Sequence, residues 1–270
     1  MNIEWLEKSK IEAVLSPESR SHLSRLELHD TIDSTNTYLL SHAKAAQSGF
    51  VCLAEEQTQG RGRQGKEWFS PKGTNLYCSL LWQFPSFHAD ISHLSLAIAV
   101  MLIKALQAYG IHRKLELKWP NDIYCDHRKL AGILIEGVPS QEKNYPVVIG
   151  VGLNVQLPSH HPFIQTSIDM KEIVGGDVER NKLTGLVIDK LLSEIPRYIK
   201  EGFSAFLPDW RKYDVLRGKL VVIRSRQYEV VGIAEGVNEN GELMIRDQYG
   251  KSQSFRCGEV SVRLQQSARC

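Results

Sequence analysis

The segment Gln57–Ser70, QTQGRGRQGKEWFS, carries three glycines (60, 62 and 65) and two arginines (61 and 63) within six residues, followed by Lys66 and Trp68. Glycines let backbone N–H groups come close to an anion, and guanidinium groups offer paired donors to a phosphate or carboxylate. The segment therefore suits an anionic ligand, although a solvated basic loop would have the same composition. Gly60 to Lys66 also fills the first seven positions of the P-loop pattern, but Glu67 stands where that pattern needs a hydroxyl for magnesium. Trp68-Phe69-Ser70-Pro71 is a poor start for the helix that a P-loop requires, so that reading fails.

Two further stretches invite chemistry. Lys118-Trp119-Pro120-Asn121-Asp122 precedes Arg128-Lys129-Leu130-Ala131-Gly132, in which Lys129 leads a strongly apolar run. A lysine there must be solvated or paired at the strand entrance, because an unpaired buried ammonium is very costly. Taken singly, Lys129 could face solvent, and Asn121 and Asp122 could be turn residues. Gly150-Val151-Gly152 follows an apolar strand as in a dinucleotide fingerprint, yet Val155 holds the third glycine position and no surrounding strand–helix–strand pattern supports it. Asn154 could simply end that strand.

Residues 1–27 read as a short helical lead, with Ile3, Leu6, Ile11, Val14 and Leu15 on one loose stripe and Pro17 ending it. Residues 28–214 mix helices and strands. Ser34, Thr35 and Asn36 supply capping chemistry ahead of Leu39, Ala43 and Ala46. Leu76–Trp82 alternates as a strand, Leu94–Ala105 makes a helix face stopped by Gly110, and Leu115–Trp119, Leu130–Glu136 and Val147–Val155 are further strands. Leu183, Val187, Leu191, Ile195 and Ile199 form a helix expected to kink or break at Pro196. From 215 to 270 short β-rich runs alternate with turn signals at Asn238–Gly241 and Asp247–Gly250, as in a small barrel or sandwich. The class is α+β, with a small all-β domain after a boundary near Asp214.

Composition narrows the function. Hydrophobic residues make up 42% and charged residues 24% of 270, enough for a sizeable core. A formal charge of +2 gives no global pull toward nucleic acid or membrane. The N-terminus is charged from Glu4 onward, and the longest apolar run, Leu96–Ile103, falls short of the roughly 18 residues that span a bilayer. Five cysteines (52, 78, 125, 257 and 270) form no CxxC pair, which argues against a disulfide framework or structural zinc and for the cytoplasm.

In chain order, Asp33-Ser34-Thr35-Asn36, Gln57 with Gly60-Arg61-Gly62-Arg63, Lys118–Asp122, Lys129-Leu130-Ala131-Gly132 and Gly150-x-Gly152-x-Asn154 together closely resemble the catalytic core of biotin protein ligases. The likeness runs from Leu28 to the C-terminus. It implies a mixed-sheet catalytic domain of the biotin/lipoate ligase type and a small SH3-like β-barrel. It also implies an ATP-dependent ligase that forms biotinyl-5'-AMP and then transfers biotin to a lysine of a biotin carboxyl carrier domain. By the resemblance, Ser34, Thr35, Asn36, Gln57, Arg61, Gly62, Arg63 and Lys129 contact biotin. Arg61, Arg63, Trp68, Asn121, Asp122, Lys129 and Asn154 contact ATP, and Lys129, Arg63 and Arg61 serve catalysis. Magnesium is expected chiefly through the ATP phosphates, with Asp122 as a candidate contact.

The physical sense is sound. A ureido head has two N–H donors and a carbonyl acceptor that need hydroxyl and amide partners. A carboxylate approaching a phosphate needs cations between them. No residue stands out as general base for the acceptor lysine. Within enzymes the alternative is a lipoate or octanoate ligase or transferase; outside them, a non-catalytic biotinyl-adenylate-binding regulator. About 27 residues before the core leave no room for a three-helix DNA-binding domain, so the resemblance is to the short enzymatic class, with no specific DNA or membrane partner expected and a homodimer left open.

Overall fold

A computed structural model describes residues 4–85, 93–138, 144–160, 162–225, 228–258 and 260–264. Ile3 and Cys270, both named above, lie outside the described residues. The first elements are α1 (Lys8–Val14) and α2 (Pro17–His22). Pro17 does not only end a helix but opens the second one. It sits in the first turn, where its missing N–H costs nothing, behind Ser16, whose hydroxyl accepts from the Ser19 N–H at 3.2 Å.

Strand β1 (Arg25–Ile32), helix α3 (Thr35–His42) and strand β2 (Phe50–Gln57) follow, with β1 parallel to β2. Then come β3 (Leu76–Pro85), α4 (Leu94–Tyr109), β4 (Leu115–Lys118), β5 (Asp122–Cys125), β6 (Arg128–Gly137) and β7 (Asn144–Leu153). The order across the sheet is β1-β2-β3-β7-β6-β5-β4, and every pairing except β1–β2 is antiparallel. Leu76 to Leu81 alternates in residue type yet is buried on both sides, because helices cover both faces of the sheet. On one face α3 seals Phe50, Cys52, Leu81 and Val148 under Leu39 and Ala43. On the other lies α4, apolar nearly all round and stopped by Gly110 at φ 111°.

After α5 (Met170–Val174), α6 (Arg180–Glu201) packs on α4 with Leu183, Val187, Leu191 and Ile195 buried. The expected break at Pro196 does not occur, and the helix runs unbroken to Glu201. One lost backbone bond is offset by the buried stripe on both sides of it. The N-terminal helices belong to this body. A Cβ on Gly185 of α6 would stand 2.5 Å from Val14 Cβ, and Arg180 reaches the Glu4 carbonyl at 2.6 Å and the Glu55 carboxylate at 2.9 Å, both its side chain and that of Glu55 being 6% exposed.

Helix α7 (Leu207–Tyr213) leads to Asp214, beyond which β8 (Leu220–Arg224), β9 (Glu229–Val237), β10 (Leu243–Arg246), β11 (Ser252–Phe255) and β12 (Ser261–Leu264) form a separate antiparallel sheet in the order β11-β10-β9-β8-β12. Its β9–β10 turn docks on the larger sheet, where Trp119 Nε1 donates to the Gly241 carbonyl at 3.0 Å. The chain is thus α+β, a large mixed sheet followed by a small antiparallel one. Among the described residues no helix is long and apolar enough to cross a membrane.

Candidate active site

A cavity of about 830 Å³ opens on the large sheet between α3, the segment after β2, and the edge of the small sheet. Every site residue named from the sequence lines it: Ser34, Thr35, Asn36, Gln57, Arg61, Gly62, Arg63, Trp68, Asn121, Asp122, Lys129 and Asn154. Its size falls in the range of pockets for small organic ligands.

One end is built from amides and hydroxyls. Ser34 caps α3 by accepting from the Thr37 N–H at 3.5 Å, which fixes Thr35 and Asn36 in the first helical turn facing the sheet. Gln57, last in β2, accepts from the Thr35 backbone N–H at 2.9 Å and its hydroxyl at 3.1 Å, and donates to Ser70 Oγ at 2.9 Å. Ser79 of β3, fully buried, lies 2.7 Å from Thr35 Oγ1 and 2.6 Å from Asn36 Oδ1. Asn36 Nδ2 then donates to Glu136 of β6 at 2.9 Å, and Glu136 takes both Nη atoms of Arg61 at 3.1 and 2.8 Å. Arg61, expected from the resemblance to contact biotin and ATP and to serve catalysis, is joined to the Asn36 end through Glu136.

The glycine-rich segment folds back on itself. Gly62 N–H donates to the Lys66 carbonyl at 2.7 Å, Trp68 N–H to the Gly60 carbonyl at 2.9 Å, and Gln64 takes φ 55° in the turn between them. Gly60 is required by contact, since a Cβ there would meet the Trp68 carbonyl at 2.2 Å. No helix follows the segment, in line with the rejected P-loop. Arg63 crosses the cavity to donate to Asn121 Oδ1 at 3.0 Å, while Asn121 Nδ2 holds the Ile133 carbonyl at 2.7 Å.

The other end is cationic. Lys129 lies 2.7 Å from Asp122 Oδ1, an ion pair off hydrogen-bond angle, and 5.2 Å from the centre of the Trp68 ring. The ammonium is thus paired at the strand entrance, as burial demands. Asn154 Nδ2 braces this corner through the Lys129 carbonyl at 3.1 Å and the Ile168 carbonyl at 3.2 Å. Trp68 Nε1 is buried, with no hydrogen-bond partner among the described residues, and lines the cavity.

Sequence reasoning missed four residues here. Ser79 and Glu136 carry no motif, and only the tertiary fold brings them to Asn36. Lys118 was inside a quoted motif but given no role. It lines the cavity, and burial pushes its ammonium below the ordinary lysine value, with Lys129, Arg263 and Lys66 adding to this against the pull of Asp122. Arg263 comes from β12 of the small sheet, more than 130 residues from Lys129. Among the described residues no group of three or more His, Cys, Asp or Glu side chains could hold a metal, so Asp122 has no partner set for a resident ion.

Residues 28–154 match the model of the biotin/lipoate A/B protein ligase family. The chain is 36% identical over 234 residues to the bifunctional ligase/repressor BirA of Escherichia coli, covering 86% of this chain and 72% of that protein. This chain belongs to the biotin/lipoate A/B protein ligase family. A biotin–[acetyl-CoA-carboxylase] ligase of Paracoccus denitrificans is 29% identical, over 81% of this chain and 93% of its own. Among solved structures, the Aquifex aeolicus biotin protein ligase in complex with biotin and ATP superposes with a TM-score of 0.79 at 26% identity, over 90% of this chain and all of that one. In this member of the ligase family, the five quoted motifs converge on one cavity.

Proposed function

We propose that the chain is a biotin protein ligase, which joins biotin and ATP to give biotinyl-5'-AMP and pyrophosphate, then transfers the biotinyl group to a lysine of a biotin carboxyl carrier domain. The observation that carries this reading is the polarity of the cavity along its length. A row of hydroxyls and amides (Thr35, Asn36, Gln57, Ser79) at one end suits a ureido head, and a cluster of cations (Lys118, Lys129, Arg63) at the other suits a carboxylate meeting a phosphate. Lipoate and octanoate ligases share the fold, but a plain acyl chain would offer no hydrogen-bonding group to that polar row. The relatives' names agree, since they include biotin–[acetyl-CoA-carboxylase] ligases.

Ser34, Thr35, Asn36 and Gln57 orient the head, and Trp68 gives the adenine a flat surface. Lys129 and Arg63 stand between the two approaching anions and stabilise charge on the phosphoryl oxygens. Asn121 and Asn154 hold this corner rigid through backbone carbonyls. Magnesium comes with ATP as its phosphate complex, because the lining offers Asp122 and Glu67 alone as carboxylates. Residues 28–214 form the catalytic domain, 215–270 the small domain that lends Arg263, and 1–27 a brace. The reaction is placed in the cytoplasm, with the carrier domain as protein substrate and no sequence-specific DNA partner.

A direct assay is to mix the chain, biotin, MgATP and a carrier domain and weigh the carrier by mass spectrometry. One added biotin with AMP and pyrophosphate released is expected. ADP release, or octanoate taken in preference to biotin, refutes the proposal.

A further inference from the structure

Glu136 is absent from the cavity lining, yet it holds two residues that line it. Its carboxylate accepts Asn36 Nδ2 at 2.9 Å with one oxygen and both Arg61 Nη atoms through its two oxygens. Asn36 is 4% exposed and its Oδ1 is taken by Ser79, so the amide has one orientation: oxygen toward Ser79, nitrogen toward Glu136. The space for this amide is made by Gly150, where a Cβ would stand 2.2 Å from Asn36 Oδ1. Arg61 belongs to the glycine-rich segment, which crosses the cavity and is tied to the body by two side chains, Arg61 to Glu136 and Arg63 to Asn121. One carboxylate therefore joins the head-group site to the covering segment.

We propose that Glu136 is a positioning residue that couples the biotin head-group site, through Asn36, to the glycine-rich segment over the reacting end, through Arg61. This rests on the reading of the cavity as a biotin and ATP site. The coupling follows from charge and geometry. A carboxylate accepts only, so it fixes the Asn36 amide with its nitrogen outward, and paired donation from a guanidinium fixes the direction of Arg61. A neutral amide at position 136 offers one acceptor in place of two and brings donors of its own. Its oxygen can accept from Asn36 and one Arg61 Nη atom, as Oε2 does here, but its NH2 then faces the other Nη atom donor to donor. Either the paired hold on Arg61 is lost or the side chain turns and Asn36 loses its acceptor. The backbone of β6 is laddered to β5 and β7, so its fold does not depend on this side chain.

The experiment compares the wild-type chain with Glu136→Gln and Glu136→Leu, and with Glu229→Gln as a control that breaks an unrelated pair with Arg224 on the small sheet. Trypsin cleavage after Arg61 and Arg63 is followed without ligand, and biotin affinity by calorimetry. Glu136→Gln is expected to speed cleavage and weaken biotin by roughly tenfold each, the size of one lost charge-assisted pair. The adenylation rate at saturating biotin should stay within about threefold, because the loss is in binding shared by ground and transition states. Adding Arg61→Ala to Glu136→Gln should weaken biotin by less than the product of the two single effects, since the two side chains act as one unit. Wild-type cleavage and biotin affinity in Glu136→Gln, with an unchanged melting temperature, would overturn the proposal, as would fully independent effects in the double variant. A wild-type chain that binds no biotin would instead overturn the reading of the cavity on which the proposal rests.

Discussion

Gly152 lies directly beneath the Trp68 indole: a Cβ at position 152 would stand 2.4 Å from Trp68 Cε2. Two residues earlier on the same strand face, Gly150 makes the same allowance for Asn36. The Gly-x-Gly pair thus cradles side chains rather than phosphates. Each glycine makes room for a side chain at one end of the cavity, so each substitution acts first on the ligand at its own end. Gly152→Ala must displace Trp68 and should weaken ATP binding by tenfold or more, on the order of the 1–3 kcal/mol of an overpacked site, with biotin affinity little changed. Gly150→Ala should do the reverse. Calorimetry with biotin and with a non-hydrolysable ATP analogue checks both, and equal losses of both ligands in each variant would show that the ends are not independent.

Lys129 sits between Asp122 and the Trp68 ring, in the corner of the cavity proposed for the meeting of carboxylate and phosphate. Lys129→Ala should lower the adenylation rate by about 10²–10³, as for removal of one preorganised donor. Its circular dichroism should match the wild type, because the side chain contributes little to the core. Adenylation within a few-fold of wild type would assign the charge stabilisation to another residue.

Burial lowers the affinity of Lys118 for its proton, and a bound polyphosphate would restore it. The sign follows. Below the lowered value Lys118 is charged with or without ATP. Between that value and the ordinary lysine range it is charged only in the complex, so binding takes up a proton and ATP affinity falls as pH rises through this window. The same shift makes its contribution to folding stability grow as pH rises there, since the unfolded chain holds the proton more tightly. Lys118→Arg keeps its charge, and its KM for ATP should be flatter against pH. Parallel profiles for both proteins would remove Lys118 from the phosphate site.

Arg63 ties the glycine-rich segment to Asn121 across the cavity. With three glycines in six residues, the segment has a high cost of ordering, about 1–2 kcal/mol per residue, and few apolar side chains to offset it. Arg63→Gly should loosen the cover over a water-sensitive anhydride and let biotinyl-5'-AMP escape. With biotin, MgATP and albumin, the variant should then biotinylate albumin far more than wild type does. Negligible labelling by both, with adenylation intact, would show that Arg63 does not retain the intermediate.

The buried pair of Arg180 and Glu55 ties α6 to β2 and to the N-terminal segment through the Glu4 carbonyl and the Leu6 N–H. Arg180→Met would leave Glu55 buried without its cation, at a cost of roughly 3–5 kcal/mol. Urea unfolding measures it, and a loss under about 1 kcal/mol would mean that water replaces the guanidinium.

The sequence alone was enough for the chemistry-bearing motifs, the helices over Leu94–Ala105 and Leu183–Ile199, and the β-rich texture after Asp214. These signals are local: a 3.6-residue period, a glycine stop, turn residues at fixed spacing. It did not reveal β1, β2 or β5: β1 mixes charged with apolar residues, β5 is four residues long, and the apolar run of β2, Phe50–Ala54, gives way at once to Glu55-Glu56-Gln57. Pro17 and Pro196 were read by rules for isolated helices, and burial of α6 against α4 keeps the helix unbroken at the second. In the site, motif residues were legible because their types announce polar chemistry. Glu136, Ser79 and Arg263 were not, because an acid, a hydroxyl and a cation at those positions mean nothing until β3 and β6 flank β7 in the large sheet and β12 of the small sheet reaches the cavity. The sequence determined which groups are available; pairing across the sheets decided which of them touch, and distance is what turns a charge or a hydroxyl into a site.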